Sequence, residues 1–416
     1  MRNFVACVQI VLNVTKGYGM EIAPALLEYW LRDRYFTTEL DISSSGVENF
    51  SFAELRDLVG ITHDDLDQIV FRDSRSYGGP ELRAAIAQRW GNGDPEHVMA
   101  THGSSEALFL IMQALLRPGD EVIVLDPVYH ALYAVAEAIG CRLKIWRLRF
   151  EDQFVPDTAE LRRLLSPQTR MVVVNFPHNP TGASVTLAQQ AEIIQAVSEV
   201  EAYLIWDGAF TEITYDAPPL PDPTLSYQRA ISVGTLSKAY GLPGLRVGWC
   251  IGAPEVLDRC IQLRDYMTLH LSPLVELIAQ RAIEHADRLL KPHLNQARTN
   301  LALLEEWVAQ HPGEVEYVRP KGGVSAFLRL PAVANTETFC DELASTQRVL
   351  LVPGNCFNHP EFVRVGFGGP TAELREGLAR ISEALRVSGQ QAHTRTSAEQ
   401  VRGTVKGAVS VDNHST

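Results

Sequence analysis

The chain predicts an α/β fold: a mostly parallel sheet, with a second, smaller α+β unit beside it. Three observations carry this. Between about Val98 and Ile251, short apolar runs alternate with helix-length amphipathic segments, the rhythm of strand–helix–strand units. Two of the runs, Met171–Val174 and Tyr203–Trp206, are continuously apolar, as strands covered on both faces are. At 416 residues the chain exceeds what one small core holds, so one large and one smaller domain are expected.

In chain order, Ala23–Phe36 reads as a helix with Leu26, Leu27, Trp30 and Leu31 as its stripe. Glu81–Trp90 is a second helix, introduced by Gly78, Gly79 and Pro80, and Gly103–Leu116 a third, with Leu108, Ile111 and Leu115 on one face. Arg117, Pro118, Gly119 and Asp120 end it. Strands follow at Glu121–Leu125, Arg142–Leu148 and Val247–Ile251, with helices after Pro127 and over Thr186–Glu199. Leu257–Leu290 is largely helical, and shorter strands lie within Val315–Leu330, Val349–Val352 and Phe362–Phe367. The expected division is an N-terminal extension at 1–19, an arm and part of the small domain at 20–60, a large domain at 61–290, a small C-terminal domain at 291–388 and a disordered tail at 389–416. The tail is rich in Gln, Thr, Ser and Gly and nearly devoid of large apolar groups, so it cannot bury a core. Met20, where the organised pattern begins, reads as an alternative start.

Composition narrows the function. A formal charge of −13 opposes nucleic-acid binding, which needs a basic face. Cys7, Cys141, Cys250, Cys260, Cys340 and Cys356 show no metal-ligand or CxxC spacing and read as reduced thiols of a cytoplasmic protein. No apolar run approaches the roughly 20 residues of a bilayer span. Phe4–Val14 contains Gln9 and Asn13 and lacks a basic cluster and a cleavage site, so it does not read as a signal peptide. A cytoplasmic enzyme with no membrane, nucleic-acid or metal partner is expected.

The most informative stretch is Ser232–Trp249, SVGTLSKAYGLPGLRVGW. Lys238 lies between small hydroxylated residues and a Gly/Pro-rich loop, with Arg246 eight residues on. A lysine there is poorly explained as a solvated charge and well placed for covalent attachment to an aldehyde cofactor. In THGSSEAL, Gly103, Ser104 and Ser105 open a helix whose free N–H groups attract an anion; plain N-capping is the alternative. Asp207 ends the run AYLIWD, and ligands of open α/β sheets gather at strand carboxyl ends; a turn aspartate is the alternative. Asn179 in NFPHNPTG is equally a turn-former, and Tyr129 in DPVYH equally a packing residue. Arg364 in FVRVGF doubles as a solvent-facing strand arginine, and Gly46 in DISSSGVENF as a turn glycine.

Taken in order from Gly46 to Arg364, these motifs resemble the fold-type I pyridoxal phosphate (PLP) enzymes, the class I/II aminotransferase-like group. The resemblance implies PLP on Lys238, its phosphate held by Gly103, Ser104, Ser105, Thr235, Ser237 and Arg246, its ring nitrogen paired with Asp207, its ring oxygen bonded by Asn179, and Tyr129 stacked on the ring. It implies that Lys238 and Asp207 are catalytic, that Arg364 clamps the substrate α-carboxylate, that the backbone at Gly46 nears the substrate, and that the protein is a homodimer. One departure stands out: in DGAFTEITYD, Phe210 replaces the usual tyrosine that bonds the cofactor ring oxygen, losing a hydrogen bond of about 1 kcal/mol and raising the pKa expected of the lysine–cofactor linkage. FRDSRSY also departs from the pattern, so no phosphate role passes to Tyr77.

The segments DISSSGV, THGSSEALFL, VNFPHNPTGASV, WDGAFT, GTLSKAYGLPGLRVGWC and RDYMTLHLSPLVE resemble the capreomycidine synthase family. That resemblance implies a hydro-lyase-type cyclase acting on (3S)-3-hydroxy-L-arginine in viomycin- and streptothricin-type antibiotic pathways. An aminotransferase of a basic or aromatic amino acid is the alternative. A non-catalytic PLP-binding regulator would carry a basic DNA-binding domain, and none is visible. The substrate guanidinium offers five donors and no acceptor; Asp33, Glu48 and Asp265 are acidic candidates for it, each equally a surface charge.

Overall fold

The computed structural model describes residues 21–387; the N-terminal extension, Met20 and the tail at 389–416 lie outside the described residues. A short strand β1 (Leu40–Asp41) precedes the main sheet, which comprises β2 (Val98–Thr101), β3 (Glu121–Asp126), β4 (Arg142–Arg147), β5 (Thr169–Asn175), β6 (Tyr203–Asp207), β7 (Ala230–Thr235) and β8 (Gly248–Ile251). Their spatial order is β2-β8-β7-β6-β5-β3-β4. β3 through β7 pair in parallel, and β8 runs antiparallel to both its neighbours. β2, β7 and β8 are buried along their whole length, because helices such as Ser104–Leu115 and Pro254–Arg264 cover the sheet.

Local chemistry sets the helix starts. Ser51 with Glu54, Thr62 with Asp65 and Thr186 with Gln189 form reciprocal capping boxes. The helix expected after Pro127 comes as a 3-10 turn at His130–Leu132, then Ala134–Ile139 ended by Gly140 in the left-handed conformation. Leu257–Leu290 falls into parts of three helices, Pro254–Arg264, Pro273–Glu284 and Ala286–Ala309. The break follows Arg264, whose guanidinium turns inward to the carbonyls of Ser76 (2.6 Å) and Ala100 (2.7 Å).

Beyond the main sheet come β9 (Ser325–Arg329), β10 (Val349–Leu350), β11 (Val352–Pro353) and β12 (Phe362–Gly366). β11, β12 and β9 form an antiparallel sheet, and β10 pairs with β1. Of the stretch Val315–Leu330, only β9 is a strand. The segment after β1 stitches the two sheets together: Val47 N donates to Lys238 O (3.3 Å), Phe50 N to Gly241 O (3.2 Å) and Glu48 N to Gly368 O (3.1 Å). The helix Leu26–Thr37 packs by Leu27, Trp30 and Leu31, and Trp30 Nε1 bonds Leu351 O at 2.8 Å.

Candidate active site

Three parallel strands deliver side chains to one edge of the main sheet. β5 ends at Asn175 and β6 at Asp207, which are cross-strand neighbours, and Asn175 Nδ2 bonds Asp207 O at 2.9 Å. Asp207 is 6% exposed, and its carboxylate accepts the Ala209 amide at 3.0 Å. Burial pushes its pKa up to about 6, against the Ala209 hydrogen bond and the Lys238 charge. β7 ends at Thr235 and turns into Lys238, whose Nζ donates to Ser45 Oγ at 3.0 Å. Burial, then the nearby charge of Arg364, brings the lysine down to about 8, so a neutral amine is within easy reach near physiological pH.

A second group of residues forms an anion cradle. Gly103, at φ 82°, caps the helix Ser104–Leu115, which opens on Ser104 and Ser105. A Cβ at Gly103 would stand 2.6 Å from an Arg246 guanidinium nitrogen, so glycine is required there on two counts, backbone and space. Arg246 itself holds φ 55° and reaches Ser237 Oγ at 3.5 Å. The Thr235 hydroxyl donates to Val247 O at 3.0 Å and lies 3.0 Å from Ser237 Oγ; it therefore holds Ser237 in place. A helix N-terminus, hydroxyls and an arginine at one point are the chemistry of a phosphate site.

The opposite wall comes from β12 and the segment after β1. Arg364 is 1% exposed. Its Nε and Nη2 donate to Ser43 O (3.2 and 2.8 Å), and Nη1 donates to Asn179 Oδ1 (3.0 Å). Burial lowers its pKa, and among the described residues no carboxylate forms an ion pair with it. Gly46 lies beside the lysine turn, where a Cβ would stand 3.6 Å from Ser237 O. Tyr129 follows β3, and its hydroxyl donates to Glu28 Oε1 at 2.9 Å.

These residues fit PLP on their own chemistry. A buried carboxylate short of a cation, a buried guanidinium short of an anion and a desolvated lysine are each costly alone and are complementary to a pyridine nitrogen, a substrate carboxylate and an aldehyde. Phe210 is buried and brings no hydroxyl. Tyr77 points elsewhere, to Asp258 at 2.5 Å. Ser45, Ser43 and Glu28 are site neighbours that sequence reasoning missed. Ser43 and Ser45 sit in the DISSSGV run, whereas Glu28 carries no local signal at all.

The family model for class I and II aminotransferases matches residues 66–381, and the chain belongs to that family. Within it, the chain is 49% identical over 372 residues to capreomycidine synthase of Streptomyces vinaceus, covering 89% of this chain and 96% of that protein. It is 29% identical over 334 residues to the arginine–pyruvate transaminase of Pseudomonas aeruginosa, covering 78% and 83%. Among solved structures, the PLP-dependent cyclase OrfR superposes with a TM-score of 0.84 at 42% identity, covering 89% of this chain and 99% of that one.

Proposed function

We propose that the protein is a PLP-dependent cyclase, a carbon–oxygen lyase that converts (3S)-3-hydroxy-L-arginine to capreomycidine in antibiotic biosynthesis. The observation that carries this is the 49% identity to capreomycidine synthase over 89% of the chain. Lys238 would hold the cofactor, with Asp207 at its ring nitrogen, Asn179 at its ring oxygen and Tyr129 over the ring. Gly103, Ser104, Ser105, Ser237 and Arg246 would hold its phosphate, with Thr235 supporting Ser237. When bound, PLP supplies an electron sink for negative charge developing at the substrate Cα.

The chain's own residues do the rest. Arg364 takes the α-carboxylate in a two-pronged clamp, and Gly46 leaves room for the backbone to approach. The Lys238 amine, freed once the substrate's amine has displaced it, would remove the Cα proton and later return it. Between those events the hydroxyl leaves Cβ as water, and a nitrogen of the substrate's own guanidine bonds to Cβ, closing a six-membered ring. One water leaves, nothing is oxidised or reduced, and no second substrate is needed.

The same reading carries a cytoplasmic homodimer of a viomycin- or streptothricin-type pathway, with a large domain at 61–290, a small one at 291–388 and an arm at 20–60. In support, no helix among the described residues is long and apolar enough to cross a membrane. The runner-up, an aminotransferase of a basic or aromatic amino acid, draws on the family match and the arginine–pyruvate transaminase likeness. Incubating the enzyme with 3-hydroxyarginine and no keto acid separates the two. A cyclic product lighter by one water is expected; a 2-keto product that forms only when an acceptor is added would replace the cyclase with the transaminase.

A further inference from the structure

We infer that Glu28, on the helix Leu26–Thr37, binds the guanidinium of the substrate and selects for it, a role that rests on the cyclase reading above. Glu28 reaches the site directly, since Oε1 takes the Tyr129 hydroxyl at 2.9 Å. The side chain is exposed, which leaves its second oxygen open to another donor. The helix that presents it is anchored by the Trp30–Leu351 bond and by Arg34 on Asp341 at 2.5 Å. Tyr35, two turns on and on the same face, lies among Asp41, Arg364 and Ser44, so this face of the helix runs along the site.

Charge balance points the same way. The cations around the lysine are Arg364 and Arg246, and the carboxylates acting on it are Glu28 and Asp207. Arg246 answers a phosphate, Arg364 the α-carboxylate and Asp207 the ring nitrogen, which leaves Glu28 to answer the one remaining charge, the guanidinium. A carboxylate is the matching partner for a guanidinium's parallel donors. The three acidic residues singled out from the sequence are elsewhere. Glu48 accepts from Gln296 at 3.1 Å, Asp265 neighbours Tyr77, and Asp33, five residues from Glu28, lies about 140° round the helix from it.

The test is a binding titration of the holoenzyme, read from the cofactor's absorbance. It uses L-arginine, which lacks the leaving hydroxyl, and L-citrulline, its uncharged analogue. Glu28→Gln is expected to weaken arginine about 10- to 100-fold while moving citrulline less than about threefold, with Glu28→Asp falling between. An unchanged arginine-to-citrulline ratio, or an equal loss for both, overturns the assignment. Product analysis of the unmutated enzyme separates the two readings. Cyclic product with selectivity intact in Glu28→Gln sinks the Glu28 role alone, whereas lost selectivity with no cyclic product from the unmutated enzyme sinks the cyclase alone.

Discussion

The floor and the roof of the site are built differently. The floor consists of strand ends: Asn175, Asp207 and the turn from Thr235 to Lys238 grow out of buried, parallel-paired strands; Asn175, Asp207 and Thr235 are tied to neighbouring main chain, and Lys238 to the Ser45 hydroxyl. The roof is the helix Leu26–Thr37, with one buried stripe and an exposed Glu28, together with the segment that follows β1. A few long-range bonds hold it, Trp30 to Leu351 among them. The contrast teaches where each task sits. Groups that must hold charge in a dry environment lie on strands or just beyond their ends, and the group assigned to choosing the side chain lies on the exposed face of a helix.

The sharpest way to break this contrast is at the floor. Lys238→Ala is expected to lower turnover by about 10⁴-fold or more and to abolish the visible absorbance of bound cofactor, read by steady-state kinetics and spectroscopy. Arg364→Met comes next. Apparent KM for the substrate should rise about 100-fold.

Asp207 sharpens the comparison through pH. In the cofactor-free protein its folded pKa, about 6, exceeds the unfolded value of about 4. Between those values the folded state binds more protons, so stability falls as pH rises through that window. Cofactor-free Asp207→Asn should therefore be more stable than the unmutated protein above pH 6, by on the order of 2–3 kcal/mol, with the difference gone below about pH 4. Urea melts at the two pH values measure this. The smallest expected effect is Phe210→Tyr, which in the proposed cofactor placement would add a hydroxyl at the ring oxygen: the visible chromophore should titrate lower by about one pH unit, the equivalent of one hydrogen bond.

The two regions were also unequally legible. Asp207 closes a continuously apolar run, and Lys238 sits among small hydroxylated residues and a rigid Gly/Pro loop that suit a tethered cofactor and not a solvated charge, so the floor could be read from the chain. Parts of the fold hid in plain composition. β7 is spelled with Ser232, Gly234 and Thr235, residues that give no continuous apolar run but that a covered sheet tolerates. The break after Arg264 depends on carbonyls of Ser76 and Ala100, more than 160 residues away in sequence. Glu28 was invisible for a physical reason: on the exposed face of an amphipathic helix, a carboxylate that reaches an active site and one that faces water have the same pattern. Only the contact with Tyr129 tells them apart.

The floor's claim is that one ε-amine, on Lys238, carries the cofactor. Borohydride reduction of the holoenzyme followed by peptide mass mapping measures this directly. A pyridoxyl adduct on the peptide containing Lys238 is the expected result; an adduct on another lysine, or none, would contradict it.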